Sequence, residues 1–356
     1  MPMTGAATHV LPNPPATVTL ELAASVVCPV ACPHCSHRAV PPLLADTPRV
    51  DVDMAISLLD QVAALGAGTF VAYPRQGDVS LESESYARLF ARARALGLHT
   101  KTCSSCVDPA ALLALLPTLD QITISVDGFD AADYGRLRPQ SLLASVDAFL
   151  EGWSRLRPVC RLAANVVATR SFLRSGGLER FAAEVVARAA ISKLNVLEIL
   201  PGPADDYRDE RLGPDELAML RDLKQRFRGR LKITVPAWEV GEPGRPSCPV
   251  GRDYLVVGPG GEISACVLLL HGGVHLADLF RDGLAAAWRT VSRVARPEVR
   301  ERLFEGPSRF PRAGELAPCR GCRLLQEGRC FGGCVARARL FGHQFERARH
   351  CRGPVP

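Results

Sequence analysis

Residues 25–40 read Ser25-Val26-Val27-Cys28-Pro29-Val30-Ala31-Cys32-Pro33-His34-Cys35-Ser36-His37-Arg38-Ala39-Val40, and the rest of the chain is organised around them. Three cysteines fall in eight residues with the spacing C-x3-C-x2-C. Pro29 and Pro33 deny the segment a continuous helix or a strand ladder, so the thiols lie on a loop that can curl round one object. The run Thr17 to Val27 that precedes it alternates Val18, Leu20 and Leu22, the period of a half-buried strand. The loop is therefore delivered from the carboxyl end of a strand, the end at which open and barrel α/β folds bind ligands.

Three thiolates are one short of the four that close an iron–sulfur cube or a structural zinc site. Two readings follow. Either a cube keeps one iron open for a small molecule, or His34 or His37 completes a zinc loop.

Downstream, strand and helix signals alternate. Asp51 or Asp53 can cap a helix through Ala55, Leu58, Leu59, Val62 and Leu65 that Gly66 ends. Strands are expected at Thr69–Tyr73, Leu98–Cys103, Gln121–Val126, Val159–Ala168 and Lys193–Leu200. Helices are expected at Glu82–Leu96, Pro109–Leu116, Ser141–Leu156 and Leu178–Ala190. Six strands alternating with helices imply a parallel sheet with right-handed crossovers, too few to close an eight-stranded barrel. The expected fold class is α/β, a partial (β/α)6 barrel over residues 17–240 after a tail at 1–16. One more helix, Asp215 to Phe227, and a strand Leu231 to Val235 lead into a Gly/Pro-rich connector, Gly241 to Pro246.

Residues 241–356 form the second expected unit. They hold Cys248-x12-Gly261-x4-Cys266, then Cys319-x2-Cys322-x7-Cys330-x3-Cys334, then Cys351. Tyr254 to Ile263 reads as a hairpin with a Gly-rich turn that brings Cys248 and Cys266 together. A zinc ribbon is the competing reading; it uses four of these seven cysteines and explains neither the other three nor the loop at Cys28.

On these motifs the chain resembles the radical S-adenosylmethionine (SAM) superfamily, and its C-terminal cysteines resemble the SPASM extension of that superfamily. The wording is most similar to the peptide maturases around pyrroloquinoline quinone biosynthesis: Cys28-Pro29 with Cys32-Pro33, Leu255-Val256-Val257, and Phe331-Gly332-Gly333-Cys334. The resemblance implies a [4Fe–4S] cluster on Cys28, Cys32 and Cys35 that binds SAM at its open iron. It also implies two auxiliary iron–sulfur clusters, one on Cys319, Cys322, Cys330 and Cys351, the other on Cys248, Cys266 and Cys334 with a fourth ligand not identified. Gln76-Gly77-Asp78 stands where relatives use Gly-Gly-Glu for the SAM amino group, and Ser125 and Arg136 match SAM contacts, the Arg as a planar fork for a carboxylate. Asn165 on the fifth strand is a further candidate, and Arg170 at its end a weaker one. The sulfatase-maturing branch has an Asp base after the second cysteine of the extension; here that residue is Val267.

The activity this implies is hydrogen abstraction from a substrate, with oxidation or cross-linking of a side chain in a ribosomal peptide. An alternative is a radical dehydrogenase or epimerase of a sugar or amino acid, and another is a non-catalytic iron–sulfur or zinc scaffold. The expected partners are a peptide or small-molecule substrate and an electron donor such as flavodoxin or ferredoxin. With 27 residues ahead of Cys28, no fused peptide-leader-binding domain is expected, which leaves room for the small-molecule alternative or for a separate peptide-binding protein.

Composition narrows the classes. The 47% hydrophobic content fills a real core. Net charge is +6, from 39 Arg and only 4 Lys against 37 acidic residues, and no dense basic block favours nucleic acid. The first 15 residues carry no basic-then-apolar signal, and no run of about 18 apolar residues marks a membrane span. A cytoplasmic location is expected, and in a reducing compartment most of the 13 cysteines read as metal ligands rather than disulfides. Cys103, Cys106 and Cys160 are read as small buried residues.

Overall fold

The structure is a computed structural model. It describes residues 13–30, 32–35, 37, 47–156, 158–188, 190–200, 207–236, 248–296, 299, 319–330, 334, 336, 337 and 340. The expected alternation is present as β1 (Thr17–Ala23), α1 (Val52–Ala64), β2 (Thr69–Arg75), α2 (Ser83–Ala95), β3 (His99–Ser104), α3 (Pro109–Leu115) and β4 (Gln121–Ser125). It continues with α4 (Ala131–Gly135), α5 (Ser141–Leu156), β5 (Arg161–Ala168), α6 (Arg170–Arg174), α7 (Gly177–Arg188), β6 (Lys193–Glu198), α8 (Pro214–Arg226) and β7 (Lys232–Thr234). The C-terminal region adds β8 (Tyr254–Val257), β9 (Glu262–Ser264), α9 (Val267–His271), β10 (Ala277–Asp278), α10 (Leu279–Ser292) and α11 (Arg323–Gln326).

Local chemistry sets these boundaries. Asp51, Asp108 and Asp130 each accept a backbone N–H three residues ahead, capping α1, α3 and α4. Gly66 and Gly97 take positive φ just after α1 and α2, where a residue with a Cβ is strained.

The ten strands of the described residues form one sheet in the order β10-β9-β8-β1-β2-β3-β4-β5-β6-β7. Strands β1 to β7 are mutually parallel. The hairpin β8–β9 does not stand apart as a small sheet: β8 pairs parallel to β1, from Thr17↔Tyr254 to Leu20↔Val257. The C-terminal region thus extends the barrel sheet on the free side of its first strand.

Strand alternation sorts the side chains onto two faces. Val18, Leu20, Leu22, Phe70, Ala72, Ile122, Ile124, Leu162, Ala164, Leu194, Val196 and Ile233 belong to the core between sheet and helices. The opposite positions, including Glu21, Tyr73, Lys101, Thr123, Asn165 and Asn195, face the hollow of the sheet. Among the described residues no helix is long and apolar enough to cross a membrane.

Candidate active site

The hollow is a chamber of about 1180 Å³ whose walls include Cys28, Cys32 and Cys35 from the loop after β1, strand positions from β2 to β7, and α9. The cysteine loop is held from the neighbouring strand end. The Cys28 N–H donates to the Gln76 carbonyl at 2.8 Å, and the Gln76 side-chain amide donates to the His37 carbonyl at 2.9 Å. Gln76 reaches this position with φ 59°, a left-handed conformation rare for a residue with a Cβ. Gly77 is needed for close approach: a Cβ there would meet Ala24 Cβ and Pro74 Cβ at 2.8 Å.

The other residues of the expected SAM site divide. Asp78 is buried, and its Oδ1 accepts from the Ser80 N–H, the Ser80 hydroxyl and the Ser104 hydroxyl, while Oδ2 accepts the Ser105 N–H at 2.6 Å. Four donors use the acceptor capacity of a carboxylate, so Asp78 braces the β2 and β3 ends against each other. Ser125 and Asn165 are register partners that both line the chamber, and Asn165 Oδ1 accepts from Asn195.

Arg136 is turned away from the chamber. Its guanidinium lies 3.7 Å over the Phe172 ring and donates to Thr169 Oγ1 and the Asp127 carbonyl. The guanidinium that enters is that of Arg138, whose Nη1 lies 3.7 Å from Cys32 Sγ and donates to Ser105 Oγ at 3.2 Å. Arg138 is fixed there by the buried Asp127 carboxylate at 2.5 Å, which also accepts the Val167 N–H. His34 Nδ1 contacts the Leu137 carbonyl at 2.8 Å, so the cysteine loop and the turn carrying Arg138 are held together.

A second cluster lies where β1, β2, the cysteine loop and α9 meet. Glu21, fully buried on the polar face of β1, accepts from the Tyr73 hydroxyl at 2.9 Å and from Arg75 Nε and Nη2 at 2.9 and 2.7 Å. His271 Nε2 lies 2.8 Å from the same carboxylate, and His37 stands edge-on to His271 with ring centroids 5.1 Å apart. Burial by itself raises the Glu21 carboxyl, but the His271 hydrogen bond and charge, with the charges of Arg75 and His37, bring it down to about 2. Burial also holds the His37 imidazole down, at about 4. An ionised Glu21 only accepts, so Nε2 of His271 carries a proton. The other ring nitrogen, Nδ1, is buried with no hydrogen-bond partner.

The described residues fit iron–sulfur ligation. Cys32 feels the charges of both other loop thiols, and Cys28 feels that of Cys35. Burial pushes Cys32 up to about 11, so it is a thiol until a metal displaces its proton. Cys266 caps α9, accepting the Leu269 N–H, and burial followed by the charges of Cys334 and Cys248 pushes it up to about 12. These three thiols therefore share one neighbourhood. Cys319 and Cys322 are buried and Cys330 is partly so; Cys351 lies outside the described residues, as do Phe331, Gly332 and Gly333. Cys106 and Cys160 are buried, but Cys103 lines the chamber.

No protein-family model and no curated protein matches the sequence. Solved structures do match. Streptococcus suis SuiB bound to precursor peptide SuiA superposes with TM-score 0.66 at 15% identity, over 96% of this chain and 76% of that one. Native anSMEcpe with bound AdoMet gives 0.59 at 13% identity, over 94% and 97% of the two chains. Its complex with the Kp18Cys peptide gives 0.60 at 14%. The likeness is one of fold. What is shared with SuiB and anSMEcpe is an α/β architecture built on a parallel sheet, the α/β class that the strand–helix alternation had implied.

Proposed function

We propose that the chain is a radical SAM enzyme that oxidises or cross-links a side chain of a ribosomal peptide. The observation that carries this reading is that the three-cysteine loop and the helix begun by Cys266 form walls of one chamber. Cys28, Cys32 and Cys35 hold the SAM-binding [4Fe–4S] cluster, Cys248, Cys266 and Cys334 an inner auxiliary cluster, and Cys319, Cys322 and Cys330 with Cys351 an outer one. When bound, the first cluster and SAM supply a 5′-deoxyadenosyl radical that takes a hydrogen atom from the substrate.

The chain's own residues orient and deprotonate. Arg138 places a fixed positive charge beside Cys32 and faces the chamber, where it suits the SAM carboxylate. Ser125 and Asn165 supply neutral hydrogen-bonding groups on the wall. His271, held by Glu21, offers Nδ1 as the acceptor for a substrate proton. The fold likeness to SuiB and to anSMEcpe, both solved with peptides, supports a peptide over a sugar or amino acid.

The test is anaerobic reconstitution with iron and sulfide counting, SAM cleavage after reduction, and incubation with short peptides encoded beside the gene. The expected results are about three clusters per chain, 5′-deoxyadenosine formation that Cys28→Ala, Cys32→Ala and Cys35→Ala each abolish, and a peptide mass lowered by hydrogen loss. A zinc-loaded, iron-free protein of native stability overturns the reading. SAM cleavage coupled only to a sugar or free amino acid moves it to the small-molecule alternative.

A further inference from the structure

The chain has only four lysines among its 43 basic side chains, and three of them converge on the floor of the barrel. Lys101 lies on β3, Lys193 on β6 and Lys232 on β7. Strand parity puts all three on the hollow side. Leu194 and Ile233, the next residues of β6 and β7, belong to the core against the helices; Asn195 and Thr234, two residues on from Lys193 and Lys232, line the chamber, as Lys101 itself does. Lys193 and Lys232 are direct register partners, an arrangement in which like charges oppose each other at a cost. Arg161, register partner of Gln121 beside Lys101, opens β5 with the same parity as Asn165.

Among the described residues no carboxylate pairs with Lys101, Lys193, Lys232 or Arg161. Asp120, at that end of the sheet, is engaged by Arg94, His99 and Thr100. Burial lowers Lys101 and Lys193, and so do the neighbouring cations: Arg161 and Lys232 at Lys101, Lys232 and Lys101 at Lys193. The field therefore crosses the hollow from β3 to β7. Elsewhere, Lys224 apart, the chain uses arginine, which needs room for a planar fork. Lysine here places compact point charges on flexible stems inside a narrow floor.

We infer that the barrel floor is an anion-recognition site, in which Lys101, Lys193 and Lys232 bind an anionic oxygen group, carboxylate or phosphate, at the far end of the molecule that fills the chamber. This deepens the reading above by giving the substrate a chemical class: it carries negative charge several residues' rise below the cysteine loop. Gln121, Thr123 and Thr234 line the same end with neutral groups, and among the described lining residues the carboxylates, Asp78 and Glu198, lie at the opposite ends of their strands.

The test is calorimetric titration of the cluster-loaded protein at low salt with two probes, inorganic pyrophosphate and a tetraglutamate peptide, and with tetraglutamine as control. Saturable binding of one probe is expected, weakened about tenfold or more by Lys101→Gln or Lys193→Gln and by a rise in salt. Lys224→Gln, the remaining lysine, on α8, leaves it unchanged. Preference for tetraglutamate assigns an acidic peptide, and preference for pyrophosphate a phosphorylated substrate. Without a probe the Lys193→Gln protein is expected to unfold at a higher temperature than the parent, because a like-charge contact is removed. Absence of binding by both probes, or binding that survives the Lys101→Gln/Lys193→Gln/Lys232→Gln protein, overturns the inference. SAM cleavage measured on the parent protein separates that failure from failure of the enzyme reading.

Discussion

Arg337, three residues beyond Cys334, meets Glu198 at the end of β6 with Nη1 2.6 Å from Oε2, and both side chains are buried. The pair ties the C-terminal cysteine region to the barrel on the side of the chamber away from β1. Removing one partner leaves the other charge buried, which costs about 3–5 kcal/mol. Arg337→Ala is therefore expected to destabilise the cluster-loaded protein by about that much in denaturant unfolding. Arg155→Ala, which removes an exposed helical pair with Glu151, is expected to cost less than about 0.5 kcal/mol.

The Glu21–His271 contact predicts a coupling defect. His271→Gln keeps an N–H donor for Glu21 and has no basic nitrogen. The ratio of product to 5′-deoxyadenosine is expected to fall about tenfold or more, the scale of a lost general base. An unchanged ratio assigns His271 to architecture.

Arg138 and Arg136 can be told apart by affinity. Equilibrium SAM binding to reconstituted protein is expected to weaken about tenfold or more in Arg138→Gln, the loss of a charge-assisted contact. In Arg136→Gln the change is expected to stay within about threefold, because Arg136 is committed to Phe172 and Thr169. The reverse ranking refutes the assignment of the chamber guanidinium.

His37 predicts an acid-side loss of stability. Its folded value of about 4 lies below the ordinary imidazole value of 6.5, so the unfolded chain takes up the proton first. The stabilisation is present in full above pH 6.5 and is lost as the pH falls from there towards 4. Between about pH 7.5 and 5.5 the loss from this group is about 1 kcal/mol. Thermal unfolding of the parent and of His37→Phe at the two pH values measures it: the parent should lose more than the variant.

The βα alternation was legible because apolar spacing repeats with caps and glycine stops that depend on neighbours in sequence, as at Asp51 and Gly66. The three-cysteine loop on the chamber wall was legible because its thiols are close in sequence and chemically distinctive. Glu21 was not, because it is an ordinary polar position of an alternating strand until β2 and α9 cover it. Which of Arg136 and Arg138 lines the chamber was not legible, because two residues in a turn differ only in what captures them, and Asp127 and Phe172 decide that in three dimensions. The lysines could be counted from the start; their convergence exists only once parity and register set β3, β6 and β7 round the hollow.

The pairing of β1 with β8 has a consequence for how the molecule is made. The strand that launches the cysteine loop is bonded to β2 on one side, but its other row of amides and carbonyls waits for residues near 254 to leave the ribosome. Until then the nascent barrel presents an open strand edge to every other unfinished chain. The strand with which the fold began is thus sealed late, and the cysteines that follow β8 arrive at a scaffold already closed behind them.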